Sequence, residues 1–167
     1  MMNTYIRKRF GKKPHWGWMP DQLWNPNLVT TLNSCVINYI ISFDPDEKKK
    51  RKRDKIWYNP YIMMDIGKSI TILPASDLIS RLIPFESAFE ITHKIHKELE
   101  QTESEIITLM MNADNLISNF MLKDNSNLIG YLDQMINELE KKDIKLDLPS
   151  FSLKNILKNR GHLKAGW

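Results

Sequence analysis

The sequence predicts a mostly α-helical chain: a helical bundle or long helical hairpin, with a small irregular or β element near residues 55–74. Three observations predict this. A heptad spacing runs from Ala88 to Phe120, helix-start signals recur along the chain, and only one short stretch, S69-I-T-I-L73, reads well as a strand.

The first helix begins at W24-N-P-N, where Asn25 suits the cap and Pro26 the first helical position. Leu28, Val29, Leu32, Cys35, Val36, Tyr39, Ile40 and Phe43 recur at helical spacing, so the helix is expected over 26–43. Asp44-Pro45-Asp46-Glu47 repeats a start signal. The cation run that follows reads equally as a solvated helix or a loop, because like charges repel. Tyr61–Ile66 fits one turn ending at Gly67, and the strand S69–L73 is stopped by Pro74, with weak partners near Lys55–Tyr58. Ser76 caps a short helix that Pro84 breaks.

The heptad stretch then places Ile95, Leu99, Ile106, Leu109, Leu116 and Phe120 on one seam, the expected protein interface. T102-E-S-E105 reads as a capping box, so a break near Gln101 is preferred to one unbroken helix. Asn127 starts a return helix, and Ser150 to Gly161 bounds a last short one. Broken at Thr102, these pieces form one compact bundle; unbroken, they call for self-association.

The chain has 167 residues and a single cysteine, Cys35, so one domain without an internal disulfide is expected, in a reducing compartment inside the cell. No run is apolar enough for a membrane span. The first twenty residues are basic like a mitochondrial presequence, but they are rich in Trp and Pro. Charge divides the chain into three regions. Residues 1–75 are basic and Trp-rich, with one helix and a basic loop; 76–143 form the acidic amphipathic hairpin; 144–167 form a basic helix and tail. Residues 1–60 carry 12 Lys/Arg against 5 Asp/Glu, and 61–143 carry 7 against 14. That asymmetry points to a polyanionic partner, or to the basic ends folding onto the acidic middle or onto another copy.

The nucleic-acid-binding candidates are Lys48, Lys49, Lys50, Arg51, Lys52 and Arg53, with Arg7, Lys8 and Arg9 as a second contact and Trp57 and Tyr58 as stacking faces. The Lys48–Arg53 run also fits a nuclear-import signal, which matters only in a eukaryotic host. For catalysis the pattern is sparse. No G-x-S-x-G occurs, D65-I-G-K-S69 lacks the upstream glycine of a phosphate loop, and Cys35 reads as a buried thiol on an apolar helix face. Glu90-x-x-His93 lacks the second pair that a di-iron bundle needs, so no metal or cofactor is expected. The resulting expectation is a non-enzymatic helical assembly protein whose basic segments contact nucleic acid or an acidic partner. The alternative is a regulator binding single-stranded nucleic acid.

Overall fold

A computed structural model describes residues 2–19, 25, 27–43, 58–102, 104–114, 116–117, 128–160 and 164–165, with the backbone alone at 2, 3, 157–160 and 164–165. In chain order the elements are α1 (Met2–Phe10), β1 (Trp16–Trp18), α2 (Leu28–Ser34), β2 (Tyr39–Phe43), β3 (Tyr61–Asp65), β4 (Lys68–Ala75), α3 (Asp77–Ser80), α4 (Ala88–Thr102), α5 (Leu128–Glu140), α6 (Pro149–Arg160) and β5 (Lys164–Ala165).

The centre is not a helical bundle but a five-stranded mixed sheet in the order β1-β2-β4-β3-β5. β1, β2 and β4 run parallel, β3 is antiparallel to β4, and β5 is parallel to β3. The expected helix over 26–43 is therefore corrected: it stops at Ser34 and the chain turns into β2. Its end is a Schellman motif, with Ile37 N–H donating to Leu32 O (3.1 Å) and Val36 N–H to Asn33 O (2.9 Å). Leu32 and Ile37 meet in the same apolar cluster, as that motif favours. The left-handed position, which usually carries glycine, carries Val36 at φ 63°.

β2 is apolar on both faces because both faces are covered. Ile40 joins Val29, Ile37, Met63, Ile70 and Ile72 beneath α2. Tyr39 and Ile41 join Leu73 and Ala75 on the opposite face, against Leu153 of α6 and half-buried Ile106 and Met110. A strand buried on both sides loses period-two alternation, and so it read as helix.

The strand S69–L73 lies within β4, and its antiparallel partner is Tyr61–Asp65 rather than Lys55–Tyr58. The two-residue turn Ile66-Gly67 has φ 45° and 70°, the left-handed pair that a tight hairpin requires. β4 runs past Pro74 to Ala75. Pairing to β3 ends at Ile72, so the missing N–H of Pro74 breaks no bond to that strand.

A second apolar layer joins Ile79, Ile83, Ala88, Ile91 and Ile95 to Met135 and Leu139 of α5. The expected interface seam is spent inside the chain. Ile95 is buried and Leu99, Leu109 and Leu116 pack on this cluster, Ile106 packs under the sheet, and Phe120 lies outside the described residues. The helix does break at Thr102, though not through a capping box there. Thr102 Oγ1 bonds back to Glu98 O (2.7 Å) and to Ser104 Oγ (2.9 Å), which closes α4. The capping box stands at the other end: Ser87 Oγ accepts from Glu90 N–H (3.2 Å), and Glu90 Oε2 accepts from Ser87 N–H (3.2 Å). Ser76 caps α3 as expected, accepting from Ile79 N–H at 3.3 Å.

Candidate functional site

Three strands run parallel, so their carboxyl ends share one end of the sheet. A fourth segment joins them. Thr108 bridges Ala75 in the parallel sense, and Ser76 N–H donates to Thr108 O at 2.9 Å. Because β2 occupies one edge of β4 as far as Ala75, Thr108 takes the edge that β3 has vacated. Met110 N–H is then held by Ser80 Oγ at 3.0 Å. In open sheets of this kind ligands bind beyond the carboxyl ends of the parallel strands.

Two indoles stand on the edge strand β1 and short of those ends, Trp16 level with Tyr39 and Thr71 and Trp18 level with Ile41 and Leu73, whereas β2 and β4 run on to Phe43 and Ala75. Trp16 pairs in register with Tyr39 and Trp18 with Ile41, so both side chains lie on the sheet face that carries Tyr39, Ile41, Leu73 and Ala75. Trp16 stacks on Tyr39, with centroids 6.3 Å apart and planes 7° from parallel. Both indoles remain half in solvent, at 51% and 54% exposure. Burial pushes the Tyr39 phenol up, so it stays neutral and serves as an apolar support. A flat aromatic step left open on an edge strand is unusual in surface that serves packing alone.

Carboxylates also follow the strands in the sequence. Asp77 opens α3, separated from the end of β4 by Ser76 alone, and is held by Arg81 Nε at 2.6 Å. Asp114 follows the segment through Thr108 and is exposed, its N–H donating to Asn112 Oδ1 at 2.8 Å. Asp21 and Asp44 follow β1 and β2 in the sequence and lie outside the described residues.

The residues singled out from sequence are not brought together. Lys48, Lys49, Lys50, Arg51, Lys52, Arg53 and Trp57 lie outside the described residues. Tyr58 is no stacking face: it is 2% exposed, its N–H reaches Ser104 Oγ (3.3 Å) and its hydroxyl reaches Glu98 (3.4 Å). Arg7, Lys8 and Arg9 are exposed on α1. Cys35, expected on a buried face, is exposed at the end of α2. His93 stacks on Phe89 and His96 faces Glu100 at 3.4 Å. Among the described residues no group of three His, Cys, Asp or Glu is placed to hold a metal. Sequence reasoning did not single out Trp16 and Trp18 as a site, because it placed its stacking faces at Trp57 and Tyr58. Their spacing two apart, with only Gly17 between, was the available signal.

The model of Glycosyl hydrolase family 57 matches residues 1–165. Alpha-amylase 1 of Dictyoglomus thermophilum is 26% identical over 108 residues, covering 65% of this chain and 16% of that protein. A 4-alpha-glucanotransferase of Thermococcus litoralis is 29% identical over 106 residues, covering 62% of this chain and 15% of its own. The crystal structure of 4-alpha-glucanotransferase from that organism superposes with TM-score 0.70 at 20% identity, over 92% of this chain and 24% of that one. An exo-type maltose-forming amylase from Pyrococcus sp. ST04 gives 0.61 at 13% identity, over 98% and 28%. These two likenesses show a shared fold. The chain thus spans about a sixth of the length of the curated relatives it matches. The family match overturns the expectation of a non-enzymatic assembly protein, and with it the coiled-coil and nucleic-acid-binding readings.

Proposed function

The chain belongs to Glycosyl hydrolase family 57, and we propose that it forms part of an enzyme that cleaves or transfers α-glucosidic bonds in glucan chains. The observation that supports this reading is the open aromatic pair Trp16 and Trp18 on the edge strand β1, on the sheet face that carries Tyr39 and Ile41. A pyranose ring presents one face lined by C–H bonds, and that face packs on an open indole while the hydroxyls stay hydrated or bonded. Amylase and glucanotransferase chemistry share the first half-reaction. A carboxylic acid protonates the glycosidic oxygen as a carboxylate attacks the anomeric carbon, and water or another sugar hydroxyl then takes the glycosyl group. Asp21, Asp44, Asp77 and Asp114 are the aspartates that come after β1, β2, β4 and the Thr108 segment in the sequence.

The test incubates the purified protein with maltoheptaose and resolves the products by chromatography, while indole fluorescence reports binding. Shorter or redistributed maltooligosaccharides are expected. Trp18→Ala should weaken binding about tenfold, with Trp16→Ala close behind. No product and no fluorescence change from wild type would sink the reading.

A further inference from the structure

The glucan reading leaves one strong feature of the chain unused. Arg7, Lys8, Arg9, Lys12 and Lys13 sit on α1 and the turn after it, all exposed, with no acidic residue anywhere from 1 to 20. None of the five forms an ion pair among the described residues, whose ion pairs are Arg81–Asp77, Lys94–Glu86, His96–Glu100 and Lys141–Glu138. The described acidic residues of the middle therefore form no ion pair with them. Tyr5 and Phe10 are exposed on the same helix.

The connection to the tryptophans is short. α1 ends with Gly11 at φ 70°, its N–H closing on Arg7 O at 2.9 Å. Four residues then lead into β1, and exposed His15 immediately precedes Trp16. Lys13 is three residues from Trp16, at most about 11 Å along the backbone. A sugar seated on the indoles thus has the lysines within one or two sugar units.

We propose that the α1–β1 surface recognises an anionic glucan, one bearing phosphate monoesters, with the indoles holding sugar rings and Lys12, Lys13 and the α1 arginines holding phosphate. A phosphate monoester carries between one and two negative charges at neutral pH and offers several strong acceptors. Exposed Lys and Arg pair with it through charge-assisted hydrogen bonds. Single-stranded nucleic acid and anionic lipid share the phosphate but do not present pyranose faces. The inference rests on the glucan reading of Trp16 and Trp18.

The experiment compares binding to phosphate-bearing tuber starch with binding to the same starch after phosphatase treatment. Wild type, Trp18→Ala and a Lys12→Ser/Lys13→Ser double variant are run at low and physiological salt. Vesicles with anionic headgroups and a single-stranded oligonucleotide serve as further arms. Wild type should prefer the phosphorylated starch by about three- to tenfold, and the preference should shrink with salt. The double variant should lose the preference and keep the binding to treated starch, while Trp18→Ala should weaken both. Equal binding to the two starches overturns this proposal and leaves the glucan reading standing. Binding to neither starch overturns both. Tighter binding to vesicles or oligonucleotide than to phosphorylated starch overturns it in favour of that ligand.

Discussion

Glu90 shows how much a single exposed side chain can set. Its carboxylate accepts from Ser87 N–H and from the Ser87 hydroxyl (2.9 Å), and these bonds hold its pKa below the ordinary glutamate value, with Lys94 adding a smaller push in the same direction. A pKa lowered by folding stabilises the folded chain fully above the unfolded value and loses that contribution as pH falls through the folded one. Glu90→Gln keeps the box in its neutral form. Urea unfolding should therefore show a larger loss between pH 7 and pH 3 for wild type than for Glu90→Gln, and equal losses would rule out this role for Glu90. The signal S87-A-F-E90 stands in the sequence, but T102-E-S-E105 has the same form. What separates them is context. Thr102 and Ser104 are buried at the end of a helix, where their hydroxyls bond one another and the Glu98 carbonyl.

At the scale of elements, two turns decide the sheet, and both carry the wrong residue type for easy recognition. Val36 ends α2 and Ile66 turns the β3–β4 hairpin, each β-branched and each at positive φ. Ile66 is 87% exposed, so it gains almost no burial to offset that strain. The turns are held by tertiary bonds instead. Thr30 Oγ1 donates to Asp65 Oδ2 (2.9 Å), and Asn33 Nδ2 donates to Ser69 O (3.0 Å). Val36→Gly and Ile66→Asn should each raise the unfolding free energy by about 1 kcal/mol, the reverse of the usual sign for such changes. A drop for both in chemical denaturation would show that the side chains are held by contacts that outweigh the strain. A glycine at 36 would have announced the end of the helix, and Val36 hid it.

For the whole molecule, the parallel strands bring stretches far apart in the sequence to one end of the sheet. Asp21, Asp44, Asp77 and Asp114 are spread over most of the first 114 residues. Each follows a strand or strand-like segment, and the same topology puts Thr108 beside Ala75. If this stretch supplies catalytic groups, at least one of the four Asp→Asn variants should lower kcat on maltoheptaose by about a thousandfold or more. It should do so with an unchanged melting temperature. Four active variants would move the chemistry to other parts of the protein. Joining the two layers is a polar clamp: Asn59 Oδ1 accepts from Glu105 N–H (2.9 Å), and Tyr58 bonds Ser104 and Glu98. It fixes the chain that enters β3 against the segment leading to Thr108.

By itself the sequence determined what short-range chemistry controls. The Ser76 cap and the end of α4 near Thr102 rest on hydrogen bonds among neighbouring residues, and the strand around S69–L73 is marked by its own β-branched Ile70, Thr71 and Ile72. Tertiary structure alone decided the rest. Tyr39–Phe43 became a strand because β1 and β4 lie on either side of it to satisfy its backbone, and because α2 and Leu153 cover its two faces. No local pattern records partners that far away in the chain. The same holds for Trp16 and Trp18. An indole in sequence is equally core or platform, and which one it becomes depends on whether another element covers it. Here Tyr39 supports Trp16 on one side, and solvent still reaches both rings.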